Sequence, residues 1–175
     1  MVIVLGVLIV VGYLTLSSRQ PDRYLNYTNA RYNFSVDYPA EWQLGEPPSN
    51  NDGREMIAPD KQTVCRAYGF ANALTGSSGG RQSVDEYVEW LSDNRSDSSQ
   101  DFQTPAKRET TLAGRRALWV VSDKDNIFED AIYTLDQETG YGLSCAYPDT
   151  GTQSAMRDTF ERMRAGMKIG SAPSY

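Results

Sequence analysis

The segment Tyr32-Asn33-Phe34-Ser35-Val36-Asp37-Tyr38-Pro39-Ala40-Glu41-Trp42 decides the fold class of this chain. Tyr32, Phe34, Val36 and Tyr38 alternate with Asn33, Ser35 and Asp37. That period of two marks a strand with one buried face, and Pro39 ends it. Phe34, Val36 and Tyr38 therefore share a core face. Trp42, just past the proline, is placed to fold its indole back over them.

Outward from this strand the chain continues to read as β-structure punctuated by two helices. Tyr24 to Thr28 precedes it across Asn29-Ala30-Arg31, a hairpin turn because Asn tolerates the left-handed backbone. A loop rich in Pro, Asn and Gly runs from Glu46 to Gly53. Short strands are predicted at Arg54 to Ala58 and Val64 to Phe70, broken by Pro59-Asp60. After a Gly/Ser loop over Leu74 to Gln82, Ser83 and Glu86 form a capping box, followed by Val84, Tyr87, Val88 and Leu91 on one helical face. Phe102 to Leu112 and Arg115 to Ser122 pair around Ala113-Gly114, and Ile127 to Leu135 pairs with Tyr141 to Tyr147. Leu118-Trp119-Val120-Val121 is apolar on both faces, as in a strand covered on each side. Met156, Phe160, Met163 and Met167 then mark a second amphipathic helix.

Strand hairpins, a helix, four strands and a helix predict an α+β domain with a central antiparallel sheet and helices packed on it. The Tyr32 to Trp42 stretch resembles the aromatic-x-Phe-x-Val-x-Tyr-Pro-x-x-Trp opening of PsbP-like domains, with a compatible element order over residues 24 to 169. The resemblance implies an α-β-α sandwich and, as in the bacterial envelope members, secretion or membrane tethering. It implies no common catalytic activity.

Met1 to Ser18 carries no side-chain charge and contains the apolar run Val2 to Leu16. Eighteen residues span roughly 27 Å as a helix, close to the ~30 Å hydrocarbon core of a bilayer. The expectation is one N-terminal transmembrane helix over residues 1–18, contacting the membrane through 2–16. A linker over 19–23, the domain over 24–169 and a flexible tail over 170–175 follow. Two other readings stand beside the anchor: a cleaved signal segment, giving a secreted protein, and a buried core helix. Neither a basic segment before the run nor a small-x-small site after it is present. The arginines Arg19 and Arg23 lie on the far side of the run, against the positive-inside rule for this orientation.

Composition narrows function mainly by exclusion. The roughly 150 residues after the run suit one domain, and 39% hydrophobic residues suffice for a core. A net charge of -6 disfavours nucleic acid. The chain has no histidine, which removes Ser-His-Asp and Cys-His nucleophiles and His-ligated metals. No catalytic residue, cofactor or enzyme activity is expected. Cys65 and Cys145 both fall in strands, and outside the cytoplasm such a pair reads as a disulfide; two separate buried thiols are the alternative.

Three weaker constellations complete the reading. Asp123, Asp125, Glu129 and Asp130 surround a turn and form a weak calcium candidate, without the glycine and terminal glutamate of an EF-hand; a solvated acidic turn is the competing reading. Lys107, Arg108, Arg115 and Arg116 on one strand pair offer a basic patch. Gly76-Ser77-Ser78-Gly79-Gly80 lacks the ending of a phosphate-binding loop. The function expected is an extracytoplasmic binding or accessory domain docking to a protein or envelope polymer. The alternatives are a small-ligand carrier with a pocket between helix and sheet, and a non-histidine hydrolase.

Overall fold

The computed structural model describes residues 23–47, 49, 52–71, 83–95, 106–124, 126–149 and 153–170. Their elements in chain order are β1 (Tyr24–Asn29), β2 (Phe34–Pro39), β3 (Gln43–Leu44), β4 (Gly53–Ile57), β5 (Val64–Phe70), α1 (Val84–Arg95), β6 (Ala106–Leu112), β7 (Arg115–Lys124), β8 (Ile127–Asp136), β9 (Thr139–Pro148), α2 (Gln153–Gly166) and β10 (Lys168–Ile169). Two antiparallel sheets result, one ordered β1-β2-β10 and one ordered β3-β4-β5-β9-β8-β7-β6.

This corrects the expected α-β-α sandwich: the domain is mostly β, with two sheets and two short helices among the described residues. The reason lies at β2, which takes a strand partner on each side from outside the larger sheet. β1 pairs along one side, from Tyr24↔Pro39 to Asn29↔Phe34, and β10 pairs along the other through Lys168↔Ser35 and Ile169↔Phe34. β2 thus belongs to a small sheet of its own, which stacks on the larger one face to face. Phe34 meets Tyr141 of β9 edge-on at 6.2 Å, and the Tyr141 hydroxyl donates to the Tyr32 carbonyl at 3.0 Å. No described helix is long and apolar enough to cross a membrane. The run Val2 to Leu16, expected as a transmembrane anchor, lies outside the described residues, as does the Gly76 to Gly80 loop.

Two cores flank the seven-stranded sheet. The larger joins Tyr32, Phe34, Val36, Tyr38 and Trp42 to Cys65, Ala67, Trp119, Leu143 and Cys145, with Phe160 and Met163 of α2 closing it. The motif face predicted from periodicity is thus buried as a unit. On the opposite face Val84, Tyr87 and Val88 of α1 cover Leu118, Ala131 and Tyr133. Helix α1 starts where its capping box predicts: the Ser83 amide donates to the Glu86 carboxylate at 2.7 Å, and the Glu86 amide donates to Ser83 Oγ at 3.3 Å. The β6–β7 hairpin turns through Ala113 and Gly114 at φ values of 50° and 77°, the left-handed pair of a tight turn.

Cys65 and Cys145 are direct partners across β5 and β9 with Cα atoms 3.9 Å apart, and their sulfurs are bonded. Both lie wholly inside the larger core.

Candidate docking face

Strand β5 carries its side chains in an unusual order of size. Cys65, Ala67 and Gly69 face the larger core, while Arg66, Tyr68 and Phe70 face the side that α1 covers. Small inward residues are required because the three-stranded sheet presses close there: a Cβ on Gly69 would meet the Tyr32 ring at 2.5 Å. The large residues are consequently displaced outward. On the neighbouring β9, Gly140 and Gly142 leave room for rings, since a Cβ at Gly142 would strike Tyr68 at 2.6 Å and one at Gly140 would strike Tyr87 at 2.5 Å.

An aromatic cluster grows from this arrangement at one end of α1. Phe70 lies 5.6 Å from Trp90, Trp90 stacks on Tyr87 at 6.3 Å, and Tyr87 meets Tyr133 edge-on at 6.4 Å. The Arg66 guanidinium sits 5.4 Å over the Tyr68 ring. Phe70 remains 37% exposed, and Tyr68 and Trp90 are half-buried. Beyond the helix the sheet face continues as a cross-strand row of half-buried Ile57, Val64 and Ala146. Rings and an arginine with partial exposure are what the centres of protein interfaces are enriched in.

At its first turn α1 is also linked to the sheet by an exposed ion-pair network. Arg116 of β7 donates to Asp85 at 2.8 Å and also to Glu109 of β6. Its hydrogen bond holds the Asp85 carboxyl below the ordinary carboxylate range, and the two carboxylates raise the Arg116 guanidinium in turn.

The basic residues predicted as one patch separate onto two faces. Arg116 joins Asp85 and Glu109 on the α1 side, and Lys107 lies near enough to help lower Asp85. Arg108 and Arg115 point to the other side. Arg108 sits 3.7 Å over the Trp119 ring and 3.9 Å from Glu161, while Arg115 pairs with Asp136 at 2.6 Å. Alternation along the strands divides them, and carboxylates neutralise the three arginines.

The acidic set is divided by the same alternation. Asp123 is exposed, Glu129 is half-buried, Asp125 lies outside the described residues, and Asp130 is completely buried. Both Asp130 oxygens are occupied: Oδ1 accepts from Trp119 Nε1 at 2.7 Å, and Oδ2 accepts from the Tyr147 hydroxyl at 2.6 Å and Arg157 Nε at 3.4 Å. Among the described residues no group of three or more His, Cys, Asp or Glu is arranged to hold a metal ion. Asp130 is thus an interior carboxylate tying α2 to the sheet. Its phase was legible, since it shares a face with Phe128 and Ile132; its proximity to Glu129 in sequence masked that. The Arg66-Tyr68-Phe70 alternation is likewise visible in the sequence. Only the glycines opposite it say that the large side chains face outward.

No protein-family model matches the chain, and no curated protein is similar to it in sequence. Solved structures are similar in fold. Cyanobacterial PsbP (CyanoP) from Synechocystis superposes with a TM-score of 0.58 at 9% identity, over 84% of this chain and 92% of that one. The domain has a PsbP-like fold. LpqN, described as involved in cell envelope biogenesis of Mycobacterium tuberculosis, superposes with a TM-score of 0.54 at 13% identity over 86% and 91% of the two chains. A Bacteroides thetaiotaomicron protein gives 0.52 at 14% identity, over 83% of this chain and 48% of its own. The PsbP-like architecture thus accommodates very different sequences.

Proposed function

We propose that this PsbP-like domain is a non-catalytic accessory module, working outside the cytoplasm, that docks to a protein partner through the Arg66, Tyr68, Phe70 and Trp90 face. The observation that carries this reading is the placement of Arg66, Tyr68 and Phe70 on the side of β5 away from the larger core, where Trp90 of α1 joins them. Burial of such rings is the main source of affinity in protein interfaces, and an adjacent arginine adds directional contacts. A disulfide in the core favours an oxidising compartment. The cell-envelope role of LpqN, at 13% identity, supports the same compartment.

A photo-reactive amino acid placed at position 70 in native cells tests the reading. A discrete crosslinked species is expected there, and it should be lost when Arg66→Glu is added. The same probe at Leu25, an equally exposed apolar position (40%) on the three-stranded sheet, should give none. Equal crosslinking at both positions, or none at position 70, would refute the docking face.

A further inference from the structure

The seam between the two sheets contains a cation that no carboxylate of the described residues pairs with. Arg54 of β4 stands opposite Ala67 of β5, on the side of the sheet that packs against the β1–β2 hairpin. Its Nε and Nη1 are enclosed, and neither has a hydrogen-bond partner. The guanidinium carbon lies 5.9 Å from the ring centroid of Tyr27 in β1. Nearby carboxylates are directed elsewhere. Asp52 accepts from the Tyr32 hydroxyl at 3.0 Å and lies 3.7 Å from Arg31, while Glu55 is exposed one position along the strand, on the opposite face.

An arginine stays protonated at any ordinary pH, so it cannot escape burial by losing its charge. Enclosed donors of an ion left unpaired are costly, and native structures retain them where another group completes them. Tyr27, whose ring the guanidinium overlies, carries a hydroxyl that can act as a second donor. Its oxygen accepts from Asn29 Nδ2 at 3.3 Å, which leaves its own proton to give.

We propose that Arg54 and Tyr27 form a binding site for a small carboxylate at the seam between the sheets. The planar fork of a guanidinium matches two carboxylate oxygens, and the partial exposure of Arg54 leaves its Nη2 corner as the approach. A carboxylate bridging Nη2 and one enclosed nitrogen satisfies both, with the Tyr27 hydroxyl closing on the same oxygens. This seam and the aromatic face lie on opposite sides of the seven-stranded sheet, so either assignment can fail without the other.

Thermal melts of the purified full-length protein decide it, with acetate exchanged for chloride at constant ionic strength. In the wild type the midpoint should rise saturably, by roughly 3–6 °C at about ten times the dissociation constant. Arg54→Met should abolish the response, and Tyr27→Phe should weaken it. Without acetate, Arg54→Met should melt no lower than the wild type, because it removes an unpaired cation. If Arg54→Met does not fold, the Nε–H resonance of Arg54 in the wild type, assigned through Arg54→Lys, should move saturably with acetate. No wild-type response, equal responses in wild type and Arg54→Met, an unmoved resonance, or a response to phosphate but not acetate would each overturn the assignment.

Discussion

The indole nitrogen of Trp119 donates to Oδ1 of Asp130 at 2.7 Å across β7 and β8, in a region from which water is excluded. The other carboxylate oxygen holds Tyr147 and Arg157, so one buried side chain organises two strands and α2 around itself. Asp130→Ala would strand the enclosed donors of Trp119 and Tyr147 and free the half-exposed Arg157. The expected loss is about 2–6 kcal/mol, from two buried donors left unsatisfied at about 1–3 kcal/mol each, and Asp130→Asn should cost less by keeping an acceptor. Urea unfolding of the variants measures both.

Alkaline pH should destabilise the domain through its enclosed phenols. Burial raises Tyr147 and Tyr32 above the usual 10.0, and hydrogen bonds to Asp130 and Asp52 raise them further; burial also raises Tyr24, against the pull of Arg162. The folded state therefore holds these protons more tightly than the unfolded chain. Their stabilisation is complete below about pH 10 and falls as pH rises beyond it. Urea midpoints at about pH 8 and about pH 11 should show the drop, and Tyr147→Phe should reduce it; a flat profile would contradict the phenol environments.

The Cys65–Cys145 bond closes a loop with a sequence separation of 80. Replacing both cysteines by Ala should lower stability by up to about 4–5 kcal/mol on the chain-entropy account. Protein alkylated without reductant should carry no modified cysteine by mass spectrometry. Two modified thiols would show the bond is not formed.

Phe34 is 2% exposed and touches rings on both sides of the sheet interface, Tyr27 at 6.1 Å and Tyr141 at 6.2 Å. Phe34→Ala should cost about 3–5 kcal/mol by leaving a cavity between the sheets. An unchanged melting midpoint would mean that the two sheets do not depend on this contact.

The strand periodicity, the capping box and the Ala113-Gly114 turn were legible in the sequence because each depends on residues within a few positions of one another. The same local alternation identified Phe34, Val36 and Tyr38 as one buried face. Tertiary structure decided what those faces meet. Pairing of β10 with β2, more than 120 residues apart, makes the first hairpin a separate sheet, and no local pattern encodes that contact. The reversal of β5 has the same origin: Gly69 faces inward because Tyr32 comes from another sheet, and Tyr68 faces outward over Gly142 of a strand far along the chain. Charge followed suit. Neighbours in sequence, Asp130 and Glu129 or Arg115 and Arg116, are sent to opposite faces by the pleat, and their partners are set by distant segments.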